Sequence, residues 1–209
     1  MSTLIDENKI IAEVIKLAGS CHYEEEHSHQ VTRLALKLFD ELKKLHRLRP
    51  RHRLLLQSAS LLHDIGWVKG GVRHHKTARD IIVKSSRIPL STEERIVVAL
   101  VARYHRRALP KDTHKYYRDL DERGKEEVRK LASLLRIADG LDRARLNSVK
   151  DLKCLIFPRK IVVQIRSDHF VEYDRLAARK KADLFGKTFK KDLLVQSNWS
   201  TGHEKEDKK

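Results

Sequence analysis

Apolar residues recur at three- and four-residue steps through most of the first 147 positions, which restricts that stretch to amphipathic helices packed on one another. Val31, Leu34, Ala35, Leu38, Leu42 and Leu45 share one helix face, and Arg33, Lys37, Lys43 and Lys44 take the other. Comparable stripes run through Leu54, Leu55, Ala59 and Leu62, through Ile96, Val97, Leu100, Val101 and Tyr104, and through Val128, Leu131, Ala132, Leu135 and Ala138. With only 8 Gly and 4 Pro in 209 residues, the chain is too poor in turn formers for a many-stranded sandwich. Gly66 and Gly124 mark expected helix ends, and the segment Arg106–Asp121 around Pro110 reads as a loop between two long helices.

The period changes near residue 148. Leu152–Phe157 and Ile161–Ile165 are short branched runs about Pro158-Arg159-Lys160, the pattern of a hairpin. A helix over Glu172–Phe185 and an apolar segment Leu193–Val195 follow. The expected fold class is therefore mainly α: a helical bundle over 1–147, a small α+β appendage over 148–196, and a polar, disordered tail over 197–209.

Lys plus Arg number 45 against 29 Asp plus Glu, a formal charge of +16, so the surface attracts polyanions; phosphates, nucleotides, polyphosphate and nucleic acids are candidate ligands. Cys21 and Cys154 are too few for a disulfide framework, and they read as reduced thiols of a cytoplasmic protein. No apolar run approaches the length of a membrane span, and Asp6-Glu7-Asn8-Lys9 is unlike a signal peptide, so no membrane partner is expected.

Several polar residues fall on the inward faces. His27 precedes Val31 by one turn, His63-Asp64 closes the apolar Leu61-Leu62, His105 follows Val101 by one turn, and Asp139 follows Leu135 by one turn. A buried carboxylate is costly unless it is paired or bound to a cation. His27, His63, Asp64 and Asp139, arriving from three helices, suit a divalent metal in a bundle; each is equally compatible with a hydrogen-bonded core residue, and spacing alone leaves both open.

The order His27-Ser28-x-x-Val31-x-x-Leu34-Ala35, Leu61-Leu62-His63-Asp64-Ile65-Gly66 and Ala138-Asp139 resembles the H…HD…D signature of the HD-domain metal-dependent phosphohydrolase superfamily. With Leu38-Phe39-Asp40, His74-His75-Lys76, Arg103-Tyr104-His105-Arg106 and Arg136–Arg143, it is similar to the C-terminal HD region of the exopolyphosphatase/guanosine pentaphosphate phosphohydrolase (Ppx/GppA) family, from about residue 20 to about residue 196. The resemblance implies an HD helical bundle in which His27, His63, Asp64 and Asp139 ligate metal. It implies His74 and His105 as further ligands where two ions are held, with Asp64 bridging; His75 is the lesser choice of its pair. The ions would be one or two divalent cations, with Mn, Fe, Co, Ni, Zn and Mg all open.

The implied activity is hydrolysis of a phosphoester or phosphoanhydride in a small anionic, nucleotide-type substrate, with His63 and Asp64 at the catalytic centre and Lys69, Arg106, Arg107 and Arg143 on the substrate phosphate. Asp142 is either an acceptor that orients a ligand histidine or an ordinary helix-end residue, and Lys180 is expected to lie away from the site. Arg106-Arg107-Ala108-Leu109-Pro110 stands where a GYP-type sequence would follow His105, against cyclic di-GMP hydrolysis. The N-terminal actin-like region in which the family carries its polyphosphate chemistry has no counterpart in this sequence, so exopolyphosphatase activity is not carried over. The alternative is a non-catalytic basic module that binds polyphosphate, nucleotide or RNA; few aromatics (6%) speak against single-strand recognition. Polyanion binding by scattered surface charge would fall steeply with salt.

Overall fold

The computed structural model describes residues 6–197. In chain order its elements are α1 (Glu7–Ser20), α2 (Glu25–Glu41), α3 (Lys43–His46), α4 (Pro50–Leu62), a 3-10 turn (Ile65–Lys69), α5 (His74–Lys84), α6 (Thr92–Arg103) and α7 (Glu122–Gly140). There follow β1 (Val149–Ile156), β2 (Lys160–Ser167), α8 (Glu172–Lys180), α9 (Asp183–Phe189) and β3 (Asp192–Ser197). The protein is thus mainly α, with a small C-terminal α+β part. Among the described residues no helix is long and apolar enough to cross a membrane.

Local sequence explains several boundaries. Asp6 caps α1 by accepting from the Asn8 amide, and Asp121 caps α7 by accepting from the Gly124 amide at 2.7 Å. Ser91 and Glu94 form a reciprocal capping box at the start of α6. Gly124 therefore lies in the first turn of α7 rather than at its edge, while the expected loop from Arg106 to Asp121 does connect α6 to α7.

Helices α2, α4, α6 and α7 pack their apolar stripes together, burying Leu34, Leu38, Leu56, Leu62, Val98, Val101, Leu131 and Leu135. The buried apolar cluster continues from Ile10 in α1 to Val195 in β3. The expected hairpin is present: β1 and β2 run antiparallel with Cys154 opposite Val163. β3 lies parallel to β2, Val195 beside Val163, and the α8–α9 pair supplies the crossover that a parallel neighbour requires. The helix expected over Glu172–Phe185 is two helices broken at Lys181-Ala182, for a reason given below. β3 takes in Ser197; the rest of the expected tail, 198–209, lies outside the described residues. Cys21 and Cys154 are both free.

At the turn after α3, fully buried His46 uses both ring nitrogens: Nε2 donates to the Phe39 carbonyl at 2.8 Å and Nδ1 accepts from the Leu48 amide at 2.9 Å. Burial lowers its pKa below the ordinary 6.5, against the opposing pull of the Phe39 carbonyl. Because the unfolded chain takes up this proton first, the contribution of His46 is intact above pH 6.5 and is lost as pH falls below it. In chelator, the stability difference between wild type and His46→Gln should shrink when urea unfolding is measured at about pH 5.5 instead of about pH 7.5. A difference independent of pH would show that His46 is not held neutral.

Candidate metal centre

The C-terminal end of α4 delivers the first two groups. Leu61 and Leu62 anchor it in the core, His63 caps it, and Asp64 opens the 3-10 turn that carries the chain toward α5. Gly66 in that turn is required by packing: a Cβ there would fall 1.9 Å from the His74 carbonyl oxygen. This close approach seats the first turn of α5, and with it His74, beside Asp64. α2 contributes His27, the end of α6 contributes His105, and the last turn of α7 contributes Asp139.

These side chains meet in one buried cluster. His74 Nε2 and His105 Nε2 lie 3.5 and 3.4 Å from Asp64 Oδ1, and His63 Nε2 lies 3.6 Å from Asp64 Oδ2. His27 Nε2 lies 3.6 Å from Asp139 Oδ1. Two sets, His27–His63–Asp64 and Asp64–His74–His105, can each hold a metal ion, and Asp64 is common to both. His75, half-buried, makes an edge contact with the His74 ring and belongs to neither candidate set.

The second ring nitrogens orient three of the rings. His27 Nδ1 donates to Asp142 Oδ2 at 2.7 Å, His63 Nδ1 to the Ser60 carbonyl at 2.7 Å, and His105 Nδ1 to the Ala102 carbonyl at 2.6 Å. His74 Nδ1 lies 3.1 Å from the Gly71 carbonyl, to which it could donate, and 3.2 Å from Arg106 Nη1, from which it could accept, so these contacts do not fix its tautomer. In their neutral forms His27, His63 and His105, so oriented, each direct an Nε2 lone pair at the cluster, the outer-sphere arrangement found behind metal-ligating imidazoles. Asp142 is thus the orienting acceptor, and its Oδ1 also holds the Asn147 amide.

Electrostatics agree with a centre built for positive charge. Burial raises the Asp64 carboxyl, but His63, His105 and His74 outweigh it and the net shift is downward. Asp139, also penalised by burial, is held well below the usual range by Lys181 and His27. Burial drives His105 down to about 3, so it stays neutral. For His27 burial is outweighed by Asp139 and Asp142, which lift it to about 9. Among the described residues the buried Nε2 atoms of His27 and His63 have no hydrogen-bond partner, an unsatisfied state that a cation would relieve. The donor set of imidazoles and carboxylates fits a divalent metal.

Two clefts flank the cluster. One, of about 560 Å³, is lined by Arg106, Arg107, Arg136 and Arg143 from the bundle and by Tyr173, Leu176, Lys180, Lys181 and Asp183 from the C-terminal part. The expected phosphate residues Arg106, Arg107 and Arg143 therefore share a wall, with Arg106 Nη1 3.2 Å from His74 Nδ1. Lys69 is exposed at the end of the 3-10 turn and lines neither cleft. Lys180, expected to be remote, lines the same cleft, because α8 folds back across α7. The other cleft, of about 390 Å³, opens directly on Asp64 and is lined by Tyr23, Glu24, Trp67 and Arg145. Trp67 stacks on His74 at 4.6 Å, and Arg145 reaches both Glu24 and Asp64.

Several residues at the site were not assigned a role by the sequence pattern, Arg145 and Trp67 among them. Lys181 pairs with Asp139. Arg136, 2% exposed, donates to the carbonyls of Tyr104, Arg106 and Lys181 and to Asp183 Oδ1, tying the α6–α7 loop to the α8–α9 junction. Gly140 lets α8 approach α7: a Cβ on it would meet the Ala178 Cα at 2.5 Å. The sequence signals for Arg136 are its place between the core residues Leu135 and Ile137 and within the Arg136–Arg143 segment that carries the resemblance.

The site is thus a buried imidazole–carboxylate cluster inside a helical bundle, with a cationic cleft beside it. Residues 11–181 match the family model described as Ppx/GppA phosphatase, domain III, and the chain belongs to that family. Membership points to phosphatase-related chemistry. No curated protein matches the chain.

Proposed function

We propose that the protein is an HD-type metal-dependent phosphohydrolase acting on a small anionic phosphoester or phosphoanhydride, with His27, His63, Asp64, His74, His105 and Asp139 as metal ligands. One observation carries it: the Nε2 atoms of His27, His63, His74 and His105 converge on Asp64 and Asp139 while the Nδ1 atoms of His27, His63 and His105 are tied back, and among the described residues the Nε2 atoms of His27 and His63 lie 3.6 Å from a carboxylate without a hydrogen bond. A helix-linking role for these histidines would instead satisfy both ring nitrogens within the protein, as in His46.

The bound cations would supply Lewis acidity for an attacking water and charge neutralisation for the phosphoryl oxygens. The chain's own residues do the rest. Asp64 and Asp139 place negative charge at the centre, and Asp142 holds His27 in its ligating tautomer. Arg106 and Lys181, next to the cluster and facing the larger cleft, bind and orient the phosphate; Arg107 and Arg143 extend the positive wall. In the overall reaction water adds to phosphorus, the bond to the leaving oxygen breaks, and that oxygen takes a proton.

The test is a hydrolysis panel of nucleoside mono-, di- and triphosphates, cyclic nucleotides and aryl phosphates with Mg, Mn, Fe, Co, Ni and Zn. We expect chelator-sensitive turnover of a member of this panel, with Mn or Co among the activating ions. No turnover with any member, together with polyanion binding that vanishes at high salt, would instead favour the non-catalytic basic module.

A further inference from the structure

The geometry points to a second anion site behind the metal centre, where Arg103, flanked by His75, Arg79 and His114, holds a compact oxyanion of the size and charge of inorganic phosphate. The site lies outside both clefts and does not depend on the reaction proposed above.

A buried charge without a partner carries the assignment. Arg103 ends α6 and is 4% exposed. Among the described residues its Nε has no hydrogen-bond partner and its guanidinium no ion pair; it lies instead over the Tyr104 ring, 5.3 Å from the centroid. A histidine or lysine in such a place escapes the cost of burial by giving up its proton, but a guanidinium stays charged. The ring face offsets only part of that cost, and a desolvated cation calls for a counter-ion.

The surroundings are cationic, and the carboxylates at hand are already engaged. Asp80 accepts from Arg79 Nε and Nη2, both at 2.9 Å, and Asp112 pairs with Lys125 at 2.8 Å. His114 Nδ1 lies 2.9 Å from the Tyr104 hydroxyl. After burial, the causes that lower the His114 pKa are Arg103, Lys111, Lys76 and Arg79, so four cations gather about one imidazole. His75 brings a second buried nitrogen without a hydrogen-bond partner, its Nδ1, into the field of Arg103 and Lys76. The site thus uses the histidine that the metal centre leaves aside.

Depth sets the size of the ligand. Arg79 and Arg103 are both buried, whereas Lys76 and Lys111 are exposed at the rim, so a single small ion can reach the guanidinium more readily than an anion attached to a bulky chain. The same two elements serve both sites: the first turn of α5 carries His74 and His75, and the end of α6 carries Arg103 just before His105.

Urea unfolding in chelator tests this without reference to activity. Inorganic phosphate is titrated against chloride at constant ionic strength into wild type, Arg103→Met, Lys76→Ala and Arg143→Ala, with phosphoserine in a parallel series. An ion that binds only the folded protein raises the midpoint, and we expect that rise in wild type and in Arg143→Ala. Arg103→Met should weaken phosphate by about tenfold or more, and Lys76→Ala, on the exposed rim, by less. Without phosphate, Arg103→Met should unfold at no lower urea concentration than wild type, because it removes a buried charge that lacks a partner. Absence of any rise in wild type, or an affinity unaltered in both Arg103→Met and Lys76→Ala, would overturn the site. A large loss of stability in phosphate-free Arg103→Met would also overturn it, by showing the guanidinium to be satisfied within the protein. A rise abolished by Arg143→Ala and kept by Arg103→Met would place the ion in the large cleft instead. Phosphoserine binding more tightly than phosphate would refute the free ion as the ligand.

Discussion

Asp64→Ala is expected to lower kcat/KM for the hydrolysed phosphate compound by at least about 10³-fold while the helical circular dichroism stays that of wild type. The Asp64 carboxylate lies near His63, His74 and His105 together, at 3.4 to 3.6 Å, and it belongs to both candidate ligand sets. Its removal takes a shared ligand from the centre, whereas loss of a wall cation such as Arg143 removes one of several charges. Asp64→Asn separates charge from shape: it keeps the side-chain volume, gives up the anionic oxygen pair, and should be nearly as inactive as the alanine variant. Activity within about tenfold of wild type in Asp64→Asn would place the chemistry elsewhere.

The largest expected effect on stability is that of Arg136→Ala, a loss of about 3–5 kcal/mol in urea unfolding. The guanidinium is 2% exposed and makes contacts with three backbone carbonyls and with Asp183, so its removal strands buried acceptors as well as breaking an ion pair. Arg136→Lys keeps the charge but not the planar fork, and should recover only part of the loss. A cost under about 1 kcal/mol for the alanine variant would mean that the α6–α7 loop and the α8–α9 junction are held by other contacts.

The bundle is legible in the sequence because its helices are strongly amphipathic, and a polar residue on a buried stripe announces itself by its misfit. That is how His27, Asp139 and His105 stand out, and the structure brings them together with His63, Asp64 and His74. Asp142, a turn beyond Asp139, was readable only as either an orienting acceptor or a plain helix-end residue, and its 2.7 Å contact with His27 Nδ1 decides between them. The break at Lys181-Ala182 carries no such signal. It is imposed from outside the helix: the Lys181 carbonyl accepts from Arg136 and its ammonium pairs with Asp139, so tertiary contacts override a segment whose own pattern favours continuation. The place of Lys180 was missed for the same reason, since periodicity assigns a residue to a face but not the face to a neighbour. The parallel pairing of β3 with β2 is likewise a long-range choice that Leu193–Val195 cannot encode alone.

The central claim, that the imidazole–carboxylate cluster is a metal centre, is tested most directly by elemental analysis of protein purified without added metal, with the thermal midpoint recorded before and after chelation. Metal bound only to the folded state adds about 4 kcal/mol when held at about a thousand times its dissociation constant. For a chain of this size that corresponds to a fall in Tm of about 10 °C on chelation. The account predicts one to two equivalents of a divalent transition metal in wild type, removed by chelator with that fall in Tm, and none retained by Asp64→Ala. Wild type that carries no metal, takes none up when it is supplied, and melts at the same temperature with and without chelator would contradict it.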